Sequence, residues 1–216
     1  MSAKHNIETE VKFCLQTPEE LRKAILAAGA ESIGKVFEIN IRLDDKNNSL
    51  SKKKSLLRLR RDMKTTLTFK SLPETRDNSF KIFNEIEVEV NDFYKAKSIL
   101  ESLGFFEVQR YEKWRETFLF GKAKLLIDNL PYGDFLEIEG EKEDIISIAS
   151  LIDMNWERRI ILNYLEIFAI IKEKLGLPFN DVTFENFKKN NVLISGKDLL
   201  KQFGLDFIAQ MPVSSL

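Results

Sequence analysis

Polar and apolar residues alternate with a period of two through most of the first 140 positions. In Ile7-Glu8-Thr9-Glu10-Val11-Lys12-Phe13, an extended strand puts Glu8, Glu10 and Lys12 on one face and Ile7, Val11 and Phe13 on the other. The alternation returns in Leu57-Arg58-Leu59-Arg60, in Leu67-Thr68-Phe69-Lys70, and over 82–90, where Glu85, Glu87 and Glu89 interleave with Ile86, Val88 and Val90. Further strands are predicted over 36–43, 108–120, 124–128 and 135–139, with Gly121 turning the third-last into the second-last.

Helical spacing interrupts the strands at two places. Thr17-Pro18-Glu19-Glu20 predicts an N-cap, a proline at the first helical position and a capping-box glutamate. Leu21, Ile25 and Leu26 then form a stripe that Gly29 closes. Asn91 or Asp92 caps a second helix carrying Phe93, Ala96, Ile99, Leu100 and Leu103, closed by Gly104. The order strand, helix, three strands therefore occurs twice, a weak internal duplication of element order. The stretch 44–55 reads as a polar loop. Beyond Gly140 the pattern turns helical, over 144–154, over 161–175 and briefly over 197–203. These elements predict one unit over 1–176 and a helical C-terminal extension over 177–216 with no assigned role.

Composition narrows the chemistry. The 33 Lys and Arg nearly balance the 34 Asp and Glu, for a net charge of -1, so the overall balance predicts no steering toward nucleic acid or an acidic membrane. One cysteine, Cys14, allows no disulfide within the chain and no zinc-ligand spacing. A single histidine, His5, leaves no Ser-His-acid arrangement. The first residues lack an apolar h-region, and the apolar run over 160–171, broken by Asn163 and Glu166, is too short to span a bilayer. These features predict a reduced, soluble, cytoplasmic protein that acts away from membranes and nucleic acid.

Charge signs are segregated among the strands. Glu8/Glu10, Glu85/Glu87/Glu89 and Glu137/Glu139 gather acid; Arg58/Arg60 and Lys113/Arg115 gather base. Like charges two apart on one face repel, and solvent faces usually mix signs. Paired carboxylates without His or Cys suit Mg²⁺ or Mn²⁺, while planar guanidinium forks suit phosphate oxygens. A barrel reconciles the two, because its inward residues alternate with outward ones on every strand. The apolar stripe (Ile7, Val11, Phe13, Leu57, Leu59, Ile86, Val88, Val90, Ile138) then faces outward under the helices. Trp114 and Trp156 read as packing and Tyr164 as core. With no aromatic base pocket evident, the basic faces suit a compact polyanion that carries phosphate.

These residues resemble the CYTH domain, the triphosphate tunnel metalloenzymes. Glu8-x-Glu10-x-Lys12 is similar to the family's ExExK signature. Leu57-Arg58-Leu59-Arg60, Thr68-Phe69-Lys70, Glu85-Ile86-Glu87, Lys113-Trp114-Arg115, Leu126-Ile127-Asp128 and the run from Gly133 to Glu139 follow in the family's order. The resemblance spans about 6–165. It implies an α+β fold, an eight-stranded antiparallel β-barrel forming a tunnel with helices packed outside. It implies divalent metal, Mg²⁺ or Mn²⁺, held by Glu8, Glu10, Asp128, Glu137 and Glu139 with Glu85 and Glu87 in support. It implies a triphosphate-containing small molecule held by Lys12, Arg58, Arg60, Lys70, Lys113 and Arg115. Many members place an arginine shortly before the central Glu-x-Glu, where this chain has Phe83 and Asn84.

Three activities follow from that site. The first is a metal-dependent phosphohydrolase of a triphosphate with Glu8 and Glu10 as catalytic residues, the second a class IV adenylate cyclase, the third a non-catalytic polyphosphate or nucleotide sensor. A homodimer is compatible with each. The plain alternative is a β-rich scaffold with solvated charged faces, for which Lys52-Lys53-Lys54 as a solvated loop would be typical.

Overall fold

The computed structural model describes residues 6–74, 77–194 and 199. Eight strands form a closed antiparallel barrel: β1 (Asn6–Leu15), β2 (Glu31–Asp44), β3 (Leu56–Arg61), β4 (Thr65–Ser71), β5 (Lys81–Val90), β6 (Phe106–Phe120), β7 (Ala123–Leu130) and β8 (Gly133–Glu139). Around the ring the order is β1-β5-β4-β3-β2-β6-β7-β8 and back to β1. Exchanging β1 with β5, β2 with β6, β3 with β7 and β4 with β8 leaves every neighbour relation unchanged. The repeated element order in the sequence is thus a two-fold repeat in the topology.

Helices α1 (Pro18–Ala27) and α3 (Phe93–Ser102) occupy equivalent places in the two halves. Asp92 caps α3 through the Lys95 amide, as its sequence predicts. Thr17 takes the N-cap position of α1 but its side chain makes no capping bond. Past β8 come α4 (Lys142–Leu151), a 3₁₀ turn at Trp156–Arg158, α5 (Tyr164–Leu175) and α6 (Phe184–Lys189). The helix expected from 161 starts at Tyr164 because Asn163 and Glu166 close a capping box there. A short α2 (Ser49–Lys52) lies inside the stretch read as loop; its amides at Leu50 and Ser51 are held by the buried Asp44. The helix expected over 197–203 lies outside the described residues, apart from Leu199.

Apolar side chains pack outside the barrel wall rather than within it. Val11, Phe13, Leu136 and Ile138 meet Leu21 and Ile25 of α1 and Ile145 and Ile148 of α4. Ile41, Leu43 and Leu59 meet Phe93 and Leu100 of α3. Leu130, Tyr132 and Phe135 meet α5, and Leu177, Val182 and Phe187 of the following segment join the same cluster. Each fully buried side chain of this size stabilises the fold by about 1.5–3 kcal/mol. Trp156 packs on Phe13 and Phe80, whereas Trp114, expected to be packed, is 42% exposed beside Phe37.

One part of the expected outer stripe is not covered. Ile7, Ile86 and Val88 are exposed. The two-fold repeat explains this: α4 follows β8 and covers β8 and β1, while among the described residues no helix stands between β4 and β5.

Candidate metal and phosphate site inside the barrel

Because outward positions are taken by the apolar stripe, the strand pleat turns every second polar residue into the bore. Glu8, Glu10, Lys12, Arg58, Arg60, Lys70, Glu85, Glu87, Lys113, Arg115, Glu137 and Glu139 all line one cavity of about 1700 Å³. The face that would be solvent in an ordinary sheet is the interior here.

Ion pairs run round the bore with alternating sign. Lys81 Nζ meets Glu10 at 2.5 Å, and Lys12 lies 3.7 Å from Glu10 and bonds Glu137. Glu137 accepts from Arg115, which also donates to Asp128 at 2.5 Å. Asp128 accepts from Lys113 at 2.8 Å, and Lys113 is 3.6 Å from Glu38. Arg60 sits 3.9 Å from Glu38 and 3.6 Å from Glu87. On the adjoining wall Lys70 bonds Glu8 and lies 3.2 Å from Glu85. Burial opposes charge on every one of these groups, yet the Lys113, Arg115 and Arg60 cations hold Glu38 at about 2. Lys12 and Arg115 likewise overcome burial to hold Glu137 well below the usual carboxylate range.

The wall made by β2, β3 and β4 is different. Nε of Arg42, Arg58 and Arg60, Oγ1 of Thr66 and Oδ1 of Asn40 are buried without a hydrogen-bond partner. Arg58 donates to Thr68 at 3.1 Å, also meets the Tyr111 side chain, and stands 3.5 Å from Glu87. Buried donors are almost always satisfied, so a row of free guanidinium nitrogens marks where an anion fits.

Across the bore, Glu8, Glu10 and Glu139 each offer a carboxylate oxygen, and these lie within 4.8 Å of one another. Glu10 and Glu139 are direct cross-strand partners on β1 and β8, an arrangement like charges resist. Burial, then the neighbouring carboxylates, push Glu139 up to about 7, while Lys81 and Lys12 outweigh burial and keep Glu10 at about 2. Burial and Glu10 raise Glu8 as well. Three converging oxygen donors that resist being charged together fit a hard divalent cation such as Mg²⁺ or Mn²⁺. The other expected ligands lie apart from this trio. Asp128 has its oxygens taken by Lys113, Arg115 and the Tyr164 hydroxyl, and Glu137 by Lys12 and Arg115.

Glu139 gives a pH test. A carboxyl at about 7 in the folded chain and about 4.5 unfolded binds more protons when folded, so its contribution to stability falls as pH rises through 4.5–7. In metal-free protein, Glu139→Gln is expected to unfold later than wild type at pH 8, by about 1–3 kcal/mol, with the gap closing toward pH 5. Urea melts at the two pH values measure this; a gap that does not change with pH contradicts it.

Sequence reading missed four contributors. Lys81 precedes the strand as predicted, yet is the main partner of Glu10. Glu38 and Arg42 alternate inward on β2 with Asn40, a signal present in the sequence but of mixed sign. Tyr164, read as core, opens α5 with its hydroxyl donating to Asp128 at 2.7 Å and its ring 4.3 Å from Lys12 Nζ and 5.0 Å from Lys113 Nζ. Its phenol is pushed well above its ordinary range by burial and by Asp128. The chain reaches this place because Ile160 pairs with Lys12 backbone to backbone. The bore also holds aromatic side chains that the sequence did not reveal there: Phe83, Tyr111 and Tyr164.

Comparison with known proteins agrees with this fold. A protein of Methanocaldococcus jannaschii named "Putative adenylate cyclase MJ0240" is 28% identical over 173 residues, 74% of this chain and 98% of that protein. The PH1819 protein of Pyrococcus horikoshii is 26% identical with a TM-score of 0.62, over 75% of this chain and 98% of that one. HpAC1 of Hippeastrum, whose structure is said to reveal a dominant triphosphatase activity, is 16% identical with a TM-score of 0.57, over 76% and 94%. The CYTH domain pattern matches residues 6–167, three quarters of the sequence, and the protein belongs to the CYTH domain family.

Proposed function

We propose that this chain binds a triphosphate inside the barrel with Mg²⁺ or Mn²⁺ and hydrolyses it. The observation that carries the reading is the split bore. Guanidinium nitrogens without acceptors line β2 and β3, and converging carboxylates stand on β1 and β8.

The residues divide the work. Lys12, Arg58, Arg60, Lys70, Lys113 and Arg115 hold the phosphoryl oxygens, whose negative charge must be balanced as a P–O bond of the triphosphate breaks. Several of these cations are already paired with carboxylates, so a triphosphate that takes them over frees acid in the same bore. Glu8, Glu10 and Glu139 would hold a divalent ion, and when bound it supplies Lewis-acid neutralisation of the phosphate charge. Glu10 stays ionised and orients the attacking water. The proton of that water passes to a carboxylate of the bore that is not engaged with the ion. Tyr164 keeps Lys12 and Lys113 at fixed positions on either side of its ring.

Cyclisation of ATP is the second reading, favoured by the name of the Methanocaldococcus jannaschii relative. The test is incubation with Mg²⁺ or Mn²⁺ and, separately, tripolyphosphate, ATP, GTP and thiamine triphosphate. Released phosphate well above a Glu10→Gln control is expected. Cyclic AMP in its place decides for the cyclase, and no product from any of the four contradicts both readings.

A further inference from the structure

We propose that Phe83 forms an apolar subsite for the planar organic group of a triphosphate ester, so that the tunnel favours a nucleoside triphosphate over bare tripolyphosphate. This deepens the triphosphate reading above and rests on it. Along β5, Lys81, Phe83, Glu85 and Glu87 alternate into the cavity, so Phe83 is an aromatic ring in an otherwise charged row. It lies directly opposite Glu8 in the β1–β5 register, beside the converging carboxylates. Lys81 Nζ is 5.4 Å from its ring centroid.

The surroundings continue the apolar character. Ser71 pairs with Asn84 at the end of β4, and the next two residues, Leu72 and Pro73, line the same cavity as Phe83. The ring is only partly buried. A partly exposed phenyl face in a wall of charges gains little in the free chain. A stacked base would cover it, and stacking of this kind typically alters affinity by roughly fivefold to a hundredfold. A phosphate chain held between Arg58, Arg60 and the carboxylates would then leave its ester end beside Glu8 and Phe83. The competing role, anchoring the loop over 72–80, needs only an apolar side chain.

That difference sets the test. Calorimetric affinities for ATP and for tripolyphosphate, each with Mg²⁺, are compared in wild type, Phe83→Leu and Phe83→Trp. Leucine keeps the loop anchored but cannot stack; tryptophan can. Phe83→Leu is expected to weaken ATP about tenfold and tripolyphosphate less than twofold, and Phe83→Trp to retain ATP affinity. Equal changes for both ligands, or none, overturn the subsite while leaving the triphosphate reading intact. Failure of wild type to bind either ligand overturns both. Binding without turnover removes the hydrolase and leaves the subsite to be judged on the affinity ratio.

Discussion

Asp128→Ala is expected to destabilise the chain by about 3–5 kcal/mol, the largest loss from any single site in the bore. Asp128 is fully buried on β7 and accepts from Lys113 at 2.8 Å, from Arg115 at 2.5 Å and from Tyr164 at 2.7 Å. Removing it strands two buried cations and a phenol. The nearest remaining acids are already engaged: Glu137 with Lys12, and Glu38 at 3.6–3.8 Å from Lys113 and Arg115. Asp128→Asn keeps an acceptor and should lose less. Urea unfolding measures the pair; an alanine variant within 1 kcal/mol of wild type, which is what a solvated surface acid would give, contradicts this placement.

Arg58→Ala is expected to do the opposite: leave stability within about 1 kcal/mol while weakening triphosphate binding about 30- to 100-fold. Arg58 is buried with its Nε unpartnered, and it meets Thr68 at 3.1 Å, Glu87 at 3.5 Å and the Tyr111 hydroxyl. A buried guanidinium so poorly paired contributes little to folding, because its desolvation offsets what it gains. The same underused donors are worth about 2–3 kcal/mol to an anion that completes them, and each 1.4 kcal/mol is tenfold in affinity. Calorimetry and a urea melt on the same variant separate the two quantities. A variant that loses stability but not affinity would make Arg58 a structural residue.

The contrast between these two sites is the main physical feature of the bore. On β6 and β7 acids and bases satisfy each other; on β2 and β3 the guanidinium Nε atoms make no hydrogen bond, and on β1 and β8 Glu8, Glu10 and Glu139 crowd together. This division was only partly legible in the sequence. Alternation revealed which face of each strand carried charge, since the pleat fixes it locally. The segregation of sign then said that the charged faces met one another rather than water. What local pattern could not supply was pairing across the barrel. Asp128 and Glu137 look like Glu8 and Glu10 in sequence, but the register sets Arg115 beside Asp128 and Lys12 beside Glu137.

Two misses have similar causes. Lys81 stood one residue outside the strand as predicted, and strand ends carry the weakest signal. Tyr164 sits in a run of apolar helix residues, and only the pairing of Ile160 with Lys12, nearly 150 residues earlier in the chain, brings it into the bore. The exposed Ile7, Ile86 and Val88 fail for the converse reason: their pattern demanded a cover, but among the described residues no helix stands between β4 and β5 to provide one.

On the proposed function, phosphate and metal divide one set of paired charges between them, phosphate taking the bases and metal the acids. A triphosphate that takes Lys12, Arg115 and Lys70 leaves Glu137 and Glu8 without their counter-ions, and a divalent cation restores the balance of charge. The most direct measurement is the affinity for Mn²⁺ with and without a non-hydrolysable triphosphate analogue, corrected for the complex the two form in water. Because coupling between two ligands is reciprocal, the analogue should tighten Mn²⁺ binding at least tenfold, about 1.4 kcal/mol. Equal Mn²⁺ affinity in both conditions would contradict the account.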